Sequence, residues 1–199
     1  MSALEELGPV AIEPRPGGRA GARTWNVIAT ALEGQRDLLR LALKRLGRFR
    51  GSGYRNIVIG EVPDPLAFLP QVAEAMAASR HLQMSLGKLL PIERVVPFTA
   101  VDAVETLAAA AEPFLDRLAG GTFFVRMERR GLCNEVHSSE TERAVGACLV
   151  AALEKRGCVP QVRFKDPDHV VVIESIGEEA GLGLIPRAMR TAFPFVRVK

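Results

Sequence analysis

Residues 121–131, Gly-Thr-Phe-Phe-Val-Arg-Met-Glu-Arg-Arg-Gly, read as a β-strand: aromatic and β-branched residues fill its first half and Arg126, Arg129 and Arg130 crowd its end. Even alternation of side chains places Arg126 and Arg130 on one face and Arg129 on the other. Downstream, Ser138-Ser139 opens a helix. Ser139-x-x-Glu142 has the spacing of a capping box, and Val145, Cys148, Leu149 and Ala152 form an apolar stripe, which makes Cys148 a small core residue. Lys165-Asp-Pro-Asp168 reads as a turn leading into the apolar strand His169-Val-Val-Val-Ile-Glu174, with Gly181-Leu-Gly-Leu-Ile-Pro186 beyond it. Upstream, the alanine-rich stretch Val101–Leu118 predicts one helix that Gly120-Gly121 turns into the strand.

Further toward the N-terminus, Trp25–Leu32 reads as a strand and Gln35–Leu46 as a helix. Its leucines gather on one side, with Arg36, Arg40 and Lys44 on the other. Gly47 ends this helix, and Gly51 and Gly53 predict a flexible loop before a second strand over Arg55–Val62. Pro65 begins a helix running to about Ser79, and Leu90–Thr99 predicts a closing edge strand. Strand, helix, strand, helix, strand is the order of a small ferredoxin-like α+β layer. Residues 1–23, rich in proline and glycine with few large apolar groups, are expected to form a disordered or loosely held arm.

The chain is 199 residues long and 48% hydrophobic, with a formal charge of +3, but its charge is segregated. Seven basic residues face one acid across residues 36–55, and residues 180–199 add four more basic residues with no acid. Segregation of this kind is the electrostatic footprint of a polyanion binder, and equally of solvated helix faces. Three cysteines without Cys-x-x-Cys spacing support neither a disulfide framework nor a zinc site. No apolar run is long enough to cross a bilayer and no secretory signal is recognisable, so a cytoplasmic location without membrane attachment is expected.

The ordered set Phe123-Phe-Val-x-x-x-x-Arg130, Ser138-Ser139, Phe164-Lys-Asp-Pro-Asp168 followed by Val170-Val-Val-Ile-Glu174, and Ala180-Gly-Leu-Gly-Leu184 resembles a THUMP domain, the tRNA-binding module of thiouridine synthases, methyltransferases and pseudouridine synthases. The resemblance covers residues 100–190. It is similar above all to stand-alone archaeal THUMP proteins and to the eukaryotic adaptor for tRNA cytidine acetylation. Arg163 is a departure, since such proteins commonly carry an acid there.

An α+β fold is therefore expected, with an N-terminal ferredoxin-like domain over residues 24–99 and a THUMP domain over 100–199. The resemblance implies that both hold the acceptor end of a tRNA for a modification enzyme, such as an acetyltransferase acting on cytidine. Candidate RNA contacts are Arg126 and Arg130, then Arg129, with Lys165, Arg187 and Arg190; Arg40, Lys44, Arg48 and Arg50 are candidates for gripping the stem. Gly181 and Gly183 either admit RNA backbone or serve the strand itself.

Signs of catalysis are lacking in the sequence. There is no Gly-rich phosphate loop, His81, His137 and His169 are scattered, and turn chemistry accounts for Asp166 and Asp168. We expect no enzyme activity, no cofactor and no metal. Two other readings are a small ferredoxin-like phosphate-binding hydrolase using the Arg48–Asn56 loop, and a scaffold for an acidic protein partner.

Overall fold

The computed structural model describes residues 25–198; the expected N-terminal arm lies outside them. The first layer contains β1 (Val27–Ala31), α1 (Arg36–Leu43), β2 (Arg48–Gly51), β3 (Ile57–Glu61), α2 (Phe68–Ala78), α3 (Arg80–Ser85) and β4 (Leu86–Pro91). Its sheet runs β2-β3-β1-β4 with every neighbouring pair antiparallel. This is the ferredoxin-like β-α-β-β-α-β order, completed by β2. The flexible loop expected after Gly47 therefore begins as an edge strand that carries Arg48 and Arg50. On α1, Leu39 and Leu43 are buried as the periodicity predicts, while Leu41 points to solvent.

The expected closing strand over Leu90–Thr99 is divided. Pro91 ends β4 in the first sheet, and after Ile92-Glu93 the chain forms β5 (Arg94–Pro97) at the edge of a second sheet. Proline lacks the N–H that would carry a ladder onward, which suits both strand ends.

The second layer continues with α4 (Ala103–Ala111), a 3₁₀ turn at Glu112–Phe114, α5 (Leu115–Leu118), β6 (Thr122–Glu128), α6 (Ser138–Lys155), β7 (Gln161–Val162), β8 (His169–Ile176), β9 (Glu179–Pro186) and α7 (Arg187–Ala192). Pro113 breaks the single helix expected over Val101–Leu118, because it cannot donate to a carbonyl one turn back. The sheet order is β5-β9-β8-β6-β7. β6 runs parallel to β7 and β8, and β9 antiparallel to β5 and β8.

Each face of this sheet has its own core. Phe123, Val125 and Met127 of β6, with Val171 and Ile173 of β8, pack under α4–α6. Phe124, Val170, Val172 and Ile185 face the opposite way and join the core of the first layer. Gly181 and Gly183 lie on this second face. A Cβ at Gly181 would overlap the Trp25 ring, and one at Gly183 would stand 2.5 Å from the Pro91 carbonyl oxygen. The glycines thus serve packing between the layers rather than RNA or the strand itself: they let the first layer press onto β9. After α7, Phe193, Phe195 and Val196 return to the first-layer core, and the Leu89 N–H donates to the Phe195 carbonyl at 3.0 Å.

A buried group of charges ties the two sheets together. Lys88 Nζ of β4 lies 2.7 Å from Glu128 Oε1 of β6 and 2.8 Å from Glu174 Oε1 of β8. Arg130 closes the set, 2.8 Å from Glu128 Oε2 and 2.5 Å from Glu174 Oε2, and Glu174 is only 2% exposed. Two cations thus offset two carboxylates, the condition under which such charges are tolerated away from water.

Candidate nucleic-acid interface

The start of β6, the start of β8 and the end of β9 meet at one edge of the second layer, and the segment 161–168 folds over it. Asp168 is the central pin. Its Oδ2 accepts from the Thr122 backbone N–H at 2.8 Å and from the Thr122 hydroxyl at 2.7 Å, while its own N–H donates to the Thr122 oxygen at 2.9 Å. These bonds from Thr122, the side-chain one foremost, hold the Asp168 carboxyl below its usual range.

Arg187 and Arg190 grip the same turn from α7. Arg187 ion-pairs with Asp166 at 3.1 Å and Asp168 at 3.3 Å, and Arg190 donates to the Pro167 carbonyl. Asp166 sits at φ +48°, a left-handed conformation that this network sustains. Burial lowers the pKa of Arg190 and of the neighbouring His169, whose Nδ1 has no hydrogen-bond partner.

With the turn held, Gln161 to Asp166 are all exposed, so Arg163, Phe164 and Lys165 are open to solvent in succession. Phe164 is 77% exposed. One side of its ring meets Phe124 at a centroid distance of 5.7 Å and an interplanar angle of 47°, and the Arg126 guanidinium lies 5.6 Å from the Phe124 centroid. Arg126 is held loosely: its contact with Glu142 is 3.5 Å long and its Nε is unpartnered. Arg126, Phe124 and Phe164 thereby form one chain of contacts, with Arg163 and Lys165 adjoining Phe164 in sequence and Arg187 and Arg190 holding the turn that follows.

Of the candidate contacts predicted from sequence, Arg187 and Arg190 support the turn, Lys165 is exposed at its start, and Arg126 lies over Phe124, against which Phe164 packs. Arg130 does not join them. Its side chain is 13% exposed and committed to Glu128 and Glu174, because β6 ends at Glu128 and strand alternation no longer governs residue 130. Arg129 turns back to donate to the Gly131 carbonyl at 2.7 Å. On the first layer, Lys44, Arg48 and Arg50 line a groove of about 350 Å³ beside Gly47 and Gly60. Arg48 stays exposed while pairing with Glu61 at 3.1 Å, and Arg40 pairs with Asp37 at 3.7 Å on the α1 surface.

Two further expectations for α6 are corrected. His137 precedes the helix and no side chain caps it; Glu142 instead accepts the Met127 N–H at 2.8 Å, tying α6 to β6. Its buried stripe is Thr141, Val145, Leu149 and Leu153, and Cys148 is exposed. Phe164 was the functional candidate that sequence reading passed over. Its signal was a large apolar residue between Arg163 and Lys165 in a segment without core periodicity.

Fold and site together define a two-layer α+β module with a cationic, aromatic-bearing face. Residues 102–184 match the THUMP domain model, and the chain contains a THUMP domain, as its motifs lead one to expect. The chain is 27% identical over 161 residues to a tRNA sulfurtransferase of Marinobacter nauticus (strain ATCC 700491 / DSM 11845 / VT8), covering 80% of this chain. It is 33% identical over 129 residues to a tRNA sulfurtransferase of Shewanella piezotolerans (strain WP3 / JCM 13877), covering 60% of this chain. It spans 31% and 25% of those relatives. Among solved structures, TrmN from Thermus thermophilus superposes with a TM-score of 0.58 at 27% identity, over 81% of this chain and 45% of that one.

Proposed function

We propose that this chain binds tRNA by its acceptor end and presents it to a modification enzyme, without carrying out the chemistry itself. The observation that carries the reading is the Arg126–Phe124–Phe164 contact chain, with exposed Lys165 next to Phe164 in sequence, on a THUMP domain backed by a ferredoxin-like layer. Cationic groups meet phosphates and an open aromatic meets unpaired bases, the pairing of chemistries that single-stranded RNA requires. The groove lined by Lys44, Arg48 and Arg50 offers a second cationic surface for the stem. The cytoplasm is the compartment this role suits. Among the described residues no helix is long and apolar enough to cross a membrane.

For the partner's chemistry, the resemblance to the acetylation adaptor points to an acetyltransferase acting on cytidine. The curated relatives favour a second reading, in which the delivered chemistry is sulfur transfer. Mass spectrometry of tRNA nucleosides from cells lacking the chain separates the two by which modified nucleoside disappears.

Binding itself is tested with intact tRNA, the same tRNA trimmed of its single-stranded 3′ nucleotides, and duplex RNA of similar length, across a salt series. Preference for the intact end is expected. Equal affinities that fall together with salt would reduce the protein to an unspecific polyanion binder.

A further inference from the structure

We infer that Phe164 is a stacking platform for an unpaired nucleobase, with Arg126, Arg163 and Lys165 placed for the phosphates on either side; this rests on the tRNA reading above. The packing uses little of this ring. It meets Phe124 and is otherwise open, leaving Phe164 77% exposed. Its backbone is nonetheless held tightly. The Arg163 N–H donates to the Phe123 carbonyl at 3.0 Å, and Thr122, Arg187 and Arg190 fix residues 166–168. A rigidly presented, outward aromatic loses little conformational entropy when a ligand covers it.

The surroundings select the ligand. Arg163 and Lys165 flank the ring in sequence, Arg126 stands beyond Phe124, and Val162 is half exposed along the same segment. A protein partner would meet a ring set between two cations in the sequence, with a third beyond Phe124. An RNA strand meets them in its own order, a base on the ring and phosphates at the cations, and every base has a π-face to offer.

The test compares wild type, Phe164→Ala and Phe164→Trp on intact tRNA and on tRNA trimmed of its single-stranded end. Base–aromatic stacking predicts that Phe164→Ala weakens binding to intact tRNA by roughly five- to a hundredfold. It should leave binding to the trimmed form within about twofold. Circular dichroism melts should coincide with wild type, since the ring is outside the core. Phe164→Trp should keep the affinity and provide a reporter, because the natural Trp25 is buried; fluorescence of the new indole should be quenched by intact but not trimmed tRNA.

Wild-type affinity of Phe164→Ala for intact tRNA, with no quenching in Phe164→Trp, overturns the platform while leaving tRNA binding in place. A wild type that does not distinguish the two RNAs overturns the acceptor-end reading and the platform with it. Failure of Phe164→Ala to bind a protein partner, with RNA affinity unchanged, overturns the platform and assigns the ring to that partner.

Discussion

Lys88→Ala should damage the protein far more than the removal of an ordinary lysine. Lys88 lies within 2.8 Å of both Glu128 and Glu174 carboxylates, and its own side chain is 9% exposed. Removing it takes one of the two cations from Glu128 and Glu174, with Glu174 buried at 2% exposure. Breaking a buried pair on one side costs about 3–5 kcal/mol. The lower figure applies here because Arg130 still reaches both acids. For a protein of this size, about 3 kcal/mol corresponds to a fall in Tm of roughly 6–12 °C. Thermal melts at neutral pH measure the change, and Lys88→Ala combined with Glu174→Gln should recover about half of it, since the excess charge is gone. A Tm for Lys88→Ala within about 1 °C of wild type would refute the reasoning and show that water reaches Glu174.

Arg126→Ala with Lys165→Ala should weaken tRNA binding and lower the salt slope by about one unit for each phosphate no longer neutralised, with no change in Tm; Arg130→Ala should lower Tm first. Filter binding at several salt concentrations, read beside melts, distinguishes them. Gly181→Ala should destabilise by about 1–3 kcal/mol, because the added methyl meets the Trp25 ring; urea titration measures it, and a neutral result would mean the layers part easily. His169 is held below its ordinary pKa of 6.5 by burial, so the unfolded chain takes up the proton first. Stability attributable to the neutral ring is full above pH 6.5 and declines as pH falls through that value toward the folded pKa. His169→Gln should flatten the decline in Tm as pH falls below 6.5, and an unchanged profile would place the effect elsewhere.

Periodicity made much of this fold legible. β1, β3, β6, β8 and β9 each carry runs of apolar or β-branched residues, and α1 and α6 show leucine or valine stripes. The THUMP motifs then placed β6, α6, β8 and β9 in order, while β7 and α7, two and six residues long, are too short to show a pattern of their own. β2 escaped because only Phe49 among its four residues is buried and Gly51 resembles a loop signal. Cys148 was misplaced because α6 buries positions four apart, which leaves residue 148 beside the stripe rather than in it.

The site divided along the same physical line. Arg126 and Lys165 follow from local sequence, since one lies on a strand and the other in a turn. Arg130 depends on Glu174, 44 positions away in sequence, and through it on Lys88 of the first layer, a pairing that no local pattern encodes. Phe164 is visible only as an exception, a large apolar side chain for which the fold leaves no pocket.

The most direct measurement is photocrosslinking of a tRNA bearing a photoreactive nucleotide at its 3′ terminus, followed by mass mapping of the attached peptide. Attachment within residues 161–168 or on β6 near Phe124 and Arg126 is the result predicted by acceptor-end binding at this face. Attachment confined to the outer surface of α6, or to none of these residues in a complex that still binds tRNA, would contradict it.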